Sequence, residues 1–211
     1  MSKTDFSDSL LLIVDVQNDF CPGGALAVTG GDEVVPVINS LTPRFPLAAA
    51  TKDWHPEGHV SFASSHRGKG LYDTVDAGGI EQVLWPDHCV RGTRGAELHP
   101  DLNPGPLSMI LHKGTAADLD SYSAFFDNDH RSSTGLEGYL KGLGVTRVYI
   151  CGLATDYCVY FSAMDALKLG FETFVITDAV RGVDVPEGNV QKTTALMREA
   201  GIRMIESGDL L

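Results

Sequence analysis

Positive charge is scarce in this sequence of 211 residues: 16 Lys and Arg stand against 28 Asp and Glu, a formal net charge of −12 at pH 7. A field of that sign repels phosphate backbones, which argues against a nucleic-acid binder and a polybasic membrane-surface protein. Long apolar runs are missing as well; a run such as Leu10–Val14 stops far short of the roughly 20 residues of a membrane span. Asp5 and Asp8 precede that run, where a secretory leader would place positive charge, so the chain reads as cytoplasmic. Cysteine is sparse. The four present, Cys21, Cys89, Cys151 and Cys158, form no Cys-x-x-Cys pair, which excludes a disulfide scaffold and leaves each one as core filler or as chemistry. Neither Gly23-Gly24 nor Gly30-Gly31 fits the spacing of a dinucleotide- or phosphate-binding loop. Internal repeats, low-complexity tracts and interdomain linkers are absent too.

What is present is globular: 43% hydrophobic and 21% charged residues, in a length that suits one domain over 1–211. Continuous apolar runs alternate with helix-like stretches. Strands are expected at 10–15, 46–53, 109–113, 147–151, 172–178 and 202–205. Helices are expected at 32–41, from a capping box at Thr134 and Glu137 to about 142–144, at 155–169, and at 186–200. In the third of these, Tyr160, Met164 and Leu167 would share one face. Such alternation predicts an α/β fold: a doubly wound, three-layer αβα architecture around a mostly parallel six-stranded sheet. The stretch 54–108, rich in Gly, Pro, His and Ser and lacking periodicity, is expected to be a long insertion after strand two, folded over one rim of the sheet.

In such sheets ligands bind beyond the carboxyl ends of the strands. Four predicted strand ends carry reactive groups: Asp15, the pair Asp53 and His55, Lys113, and the segment Gly152–Cys158. Cys158 would lie in the first turn of a helix, where the dipole and Lys113 favour a thiolate, and Asp15 could exchange its proton. Backbone N–H groups at Ala154 and Cys158 could hold an oxyanion. Asp53 and His55, two apart in an extended segment, point the same way, and His88 could return as a third ligand of a divalent ion. Zn²⁺ is the first expectation, with Fe²⁺ and Mn²⁺ as alternatives; His59 and Ser61 are candidate fourth contacts. Phe20, Trp85 and Tyr122 could wall a slot for a flat heteroaromatic ligand.

The segments Asp15-Val16-Gln17-Asn18-Asp19-Phe20, Asp53-Trp54-His55-Pro56, Trp85-Pro86-Asp87-His88, Lys113-Gly114 and Gly152–Val159 resemble the isochorismatase-like cysteine hydrolases, and within them the nicotinamidases. The resemblance spans almost the whole chain. It implies hydrolysis of nicotinamide to nicotinate and ammonia, a step of NAD salvage, with pyrazinamide as a further substrate. It implies Asp15 as acid/base, Lys113 as polarising group and Cys158 as the nucleophile of a thioester. It also implies a cis peptide before Ala154, metal ligands at Asp53, His55 and His88, and Phe20 and Trp85 flanking the ring, with Tyr122 a looser match. At the position where relatives vary, Ser61 is expected to act through a bound water. The partner implied is a small molecule, with a homo-oligomer left open. The alternatives are a relative acting on another small amide, which would lack the ion, and a non-catalytic metal- or ligand-binding domain.

Overall fold

The computed structural model describes residues 5–103 and 105–211. Its main sheet is built from β1 (Ser9–Val14), β2 (Leu47–Asp53), β5 (Met109–Lys113), β6 (Arg147–Leu153), β7 (Glu172–Arg181) and β8 (Arg203–Ile205), in the order β5-β2-β1-β6-β7-β8. The expected sheet was mostly parallel; every pairing in it is parallel. Counted along the chain, its strands run 3-2-1-4-5-6, so the winding direction reverses between β1 and β6, where a crevice opens at the carboxyl ends.

Alternation within the strands sorts the core into two layers. Leu11, Ile13, Ala48, Ala50, Tyr149 and Cys151 face α1 (Val34–Leu41), which buries Val34, Val35, Ile38 and Leu41. Leu10, Leu12, Val14, Val148, Ile150 and Val175 face the other way. They meet Leu136 and Leu140 of α2 (Leu136–Gly142), Ala163 and Ala166 of α3 (Tyr160–Lys168), and Met197 of α4 (Asn189–Ala200). Each fully buried aliphatic side chain contributes roughly 1.5–3 kcal/mol, which is why β1, buried at every position, reads as one apolar run.

Several boundaries differ from the expectation. The Thr134–Glu137 capping box does not form; α2 is entered through Gly135 in the left-handed conformation. The single helix over 155–169 is two elements, a π-helical turn at Thr155–Val159 followed by α3. Small residues bury α3, while Tyr160, Met164 and Leu167 lie half-buried beside them. The last helix begins at Asn189, after Gly188 in the left-handed conformation, and not at Pro186. The insertion holds a hairpin, β3 (Thr74–Ala77) and β4 (Ile80–Val83), joined through Gly78 and Gly79, both at positive φ. Its strands are too short and too polar to show a period.

Gly152 fixes the close approach at the crevice. Its φ is +107°, and a Cβ there would lie 2.1 Å from the Val14 carbonyl oxygen, so only glycine allows β1 and β6 to pair to their ends.

Candidate active site

The four strand ends converge. Asp15 follows β1 with φ +48°, a left-handed conformation that Asp tolerates better than most residues. It is fully buried, and its Oδ1 accepts the Thr51 hydroxyl at 2.6 Å. Lys113 ends β5, and its buried Nζ lies 2.8 Å from Asp15 Oδ2, donates to Ser121 O at 2.9 Å, and contacts Cys158 Sγ at 3.3 Å. It also pairs with Asp53 Oδ1. The Asp15 contact is a fully buried ion pair.

Burial is the dominant influence on these groups. It pushes Asp15 up to about 6 against the pull of Lys113. It pushes the Cys158 thiol well above its ordinary range; Lys113 opposes the rise, and Asp15 and Asp53 add to it. The expectation of a resting thiolate is therefore corrected. Cys158 sits late in the π-turn, desolvated and facing two carboxylates, and not in an exposed first helical turn. The neighbouring carboxylates hold Lys113 well above its usual value although burial works the other way, so the ammonium is permanently charged.

The peptide between Leu153 and Ala154 is cis, as the resemblance implied. Thr155 makes no side-chain cap on the turn. The N–H groups of Tyr157 and Val159 both return to the Ala154 carbonyl.

Asp53, His55 and His88 also meet. Their ligand atoms lie within 4.8 Å of one another, His55 Nε2 at 3.7 Å and His88 Nε2 at 3.9 Å from Asp53 Oδ2. The insertion returns as a bridge of extended chain: His55 N donates to Cys89 O, and Arg91 N to His55 O. This sets His88 beside His55. Each ring is fixed through its other nitrogen, His55 Nδ1 on Gly114 O at 2.9 Å and His88 Nδ1 on Pro86 O at 2.7 Å. The Nε2 atoms are thus aimed inward, the arrangement of metal-ligating histidines. Burial and His55 hold His88 down at about 4, which keeps it neutral and ready to ligate. Two nitrogens and one carboxylate oxygen suit a divalent ion with open positions, so the donors present fit the expected group.

Ser61 is buried, with its Oγ 2.7 Å from His59 Nδ1. The same nitrogen accepts Ser61 N–H at 3.3 Å, so the hydroxyl donates its proton to His59 and presents its lone pairs elsewhere. His59 stacks on His55 at 4.2 Å, with its Nε2 near Leu119 O.

Between the two clusters lies a slot of about 30 Å³, lined by Phe20, Leu26, Asp53, Trp85, His88, Asp120, Tyr122, Ala154, Tyr157, Cys158 and Val183. All three predicted aromatics are therefore in its wall. Trp85 Nε1 donates to Tyr122 Oη at 3.1 Å, and Phe20 lies 5.5 Å from the His88 ring. Sequence reasoning missed Tyr157, Asp120 and Gln17. Gln17 clamps the Asp53 backbone through its amide, accepting Asp53 N–H at 2.8 Å and donating to Asp53 O at 2.8 Å. A polar residue two places after a strand-ending carboxylate was the available signal. For Asp120 the signal was a run of polar residues downstream of Lys113.

The isochorismatase domain family matches residues 9–209. The chain is 48% identical over 201 residues to the nicotinamidase of Acinetobacter baylyi, covering 95% of this chain and 94% of that one. Among solved structures it is similar to the Acinetobacter baumanii nicotinamidase and pyrazinamidase, with a TM-score of 0.96 and 47% identity over 99% of this chain and 100% of that one. It is also similar to the pyrazinamidase of Pyrococcus horikoshii in complex with zinc, with a TM-score of 0.77 and 39% identity over 94% and 99% of the two chains.

Proposed function

This chain belongs to the isochorismatase family, and we propose that within it the protein is a nicotinamidase, an amidohydrolase that converts nicotinamide to nicotinate and ammonia and also accepts pyrazinamide. The observation that carries the reading is one slot lined both by Cys158 and by Asp53 and His88. A small ring held there has a nucleophile for its carboxamide and a metal-type donor set for its nitrogen within the same lining. That donor set weighs against relatives acting on other amides, and the intact trio weighs against a non-catalytic binding domain.

Cys158 is the nucleophile. Its thiol is neutral at rest, so attack on the amide carbon is coupled to proton transfer to Asp15, whose raised pKa suits both halves of the exchange. The developing oxyanion is received by the N–H groups of Ala154 and Cys158. Asp15 returns the proton to the departing nitrogen, and ammonia leaves a thioester on Sγ. The same carboxylate then takes a proton from water as its oxygen attacks the thioester carbon. Nicotinate is released, and the proton goes back to Sγ. Lys113 supplies a fixed positive charge beside the sulfur throughout.

Asp53, His55 and His88 would hold a divalent ion, zinc in the first instance, which would supply Lewis acidity toward the pyridine nitrogen. Ser61 contributes through water, its hydroxyl already committed to His59. Phe20, Trp85 and Tyr122 hold the ring flat. The chain acts as one domain with residues 54–108 closing the slot. Its four unpaired cysteines support a reducing, cytoplasmic setting, and a role in NAD salvage follows from the product. No helix among the described residues is long and apolar enough to cross a membrane.

The test is incubation of the purified, zinc-supplemented protein with nicotinamide, with ammonia and nicotinate both quantified. Equimolar release of the two is expected. Absence of ammonia release would refute the reading.

A further inference from the structure

Three buried carboxylates, Asp15, Asp53 and Asp120, lie in or beside the slot, with one permanent cation, Lys113, among them. Lys113 is committed to Asp15 and Asp53. Asp120 makes no ion pair among the described residues. Its partners are neutral: Gln82 Nε2 donates to Oδ2 at 2.9 Å, and Ser121 N–H donates to Oδ1 at 2.8 Å. Buried carboxylates without a cation are rare, because desolvation goes uncompensated. Three carboxylates thus gather about one ammonium, an excess of acidic groups that a dication would offset.

The position of Asp120 is the second observation. A carboxylate oxygen of Asp120 and ring nitrogens of His55 and His59 lie within 4.8 Å of one another, and His55 is also the histidine grouped with Asp53 and His88. Asp120 thus reaches the ion cluster without belonging to the three-ligand set. It is held there deliberately. Gln82 comes from β4 of the hairpin, is itself buried, and spreads one amide nitrogen over Asp120 Oδ2, Val83 O and Tyr122 Oη.

We propose that Asp120, oriented by Gln82, is a positioning residue for the divalent ion: it neutralises the ion's remaining charge and accepts hydrogen bonds from the waters on its open side. In this view the hairpin of the insertion exists to deliver Gln82. The inference rests on the metal reading above. Partners of this kind, once removed, typically weaken metal binding 10–100-fold.

The experiment measures zinc affinity of the whole protein by chelator competition, and the rise in thermal midpoint on zinc addition, for wild type, Asp120→Asn and Gln82→Met. Asp120→Asn keeps shape and removes charge; Gln82→Met keeps the charge and releases its orientation. The expected result is a 10–100-fold loss of zinc affinity in Asp120→Asn, a smaller severalfold loss in Gln82→Met, and a reduced zinc-induced rise in both. If Asp120→Asn does not fold, the Gln82→Met affinity decides alone. Wild-type zinc affinity in the variants overturns the inference, including the case in which only KM for nicotinamide rises, which would make Asp120 a substrate contact. Failure of the wild type to bind any divalent ion would instead overturn the metal reading, so the two failures are distinguishable.

Discussion

Gly114→Ala is the smallest perturbation that should separate the ion cluster from the nucleophile. Gly114 has φ +61°, and a Cβ there would stand 2.4 Å from His55 Cε1 and 2.6 Å from His55 Nδ1. Two costs follow. A left-handed non-glycine residue costs roughly 1–2 kcal/mol, and one kcal/mol moves the midpoint of a chain this size by about 2–4 °C. Metal-free Gly114→Ala should therefore melt about 2–8 °C lower. The methyl also drives the imidazole off the Gly114 carbonyl, breaking the 2.9 Å hydrogen bond that aims Nε2. Loss of such a partner weakens metal binding about 10–100-fold, which is about 1.4–2.7 kcal/mol. The assay is zinc affinity by chelator competition, paired with a melt in excess chelator. Gly138→Ala serves as control. Gly138 lies inside α2 with nothing near its Cβ position, so the change should stabilise by about 1 kcal/mol and leave zinc binding alone. If Gly114→Ala bound zinc within twofold of wild type and melted with it, the loop after β5 would be yielding freely, and the claim that the backbone aims His55 would be wrong.

Cys158→Ala should abolish ammonia release while leaving nicotinamide binding within a few-fold of wild type by calorimetry; measurable turnover would remove Cys158 from its role. Because Asp15 is pushed up to about 6 and must be ionised to accept the thiol proton, kcat/KM should fall about tenfold per pH unit below that value. Thr51→Val deletes the hydroxyl bonded to Asp15 Oδ1, which favours the carboxylate, so the acid limb should move to higher pH; an unmoved limb would assign it to another group. Tyr122→Phe removes the acceptor shared by Trp85 and Gln82, so KM should rise while kcat changes little, read from initial rates; a fall in kcat alone would place Tyr122 in the chemistry.

The parts of this molecule that were legible in its sequence are those governed by local pattern. β1 and β6 are buried on both faces and read as unbroken apolar runs, and the groups at their ends announced the crevice. Asp53 and His55 were readable because a two-residue spacing in extended chain has one geometric meaning. The boundaries that shifted depend on contacts far away in sequence. Thr155 looks like a helix cap, yet the turn is widened to π geometry where Tyr157 and Val159 share one carbonyl. Cys158 looked activated by a dipole, but a thiolate preference was inferred without the burial and the second carboxylate that only folding supplies. Gln17 and Asp120 left only weak signals, a polar residue after a strand end and a polar run after Lys113, because each matters through the backbone or side chain it meets after folding.

Lys113 explains why the two clusters belong to one site. Its ammonium contacts Asp53 Oδ1, Asp15 Oδ2 and Cys158 Sγ, while the other oxygen of Asp53 faces the two histidines. One carboxylate thereby divides its charge between the ion cluster and the lysine. Without the lysine, Asp53 and Asp15 would be two buried negatives near an incipient thiolate, and each would resist ionisation of the others. With it, Asp15 can hold the negative charge that the proposed proton transfer from sulfur requires. In the proposed reaction the lysine need not touch the substrate to be required; its work is to let Asp15 and Asp53 stay charged within one buried site, and Gln17 fixes the Asp53 backbone that this division depends on.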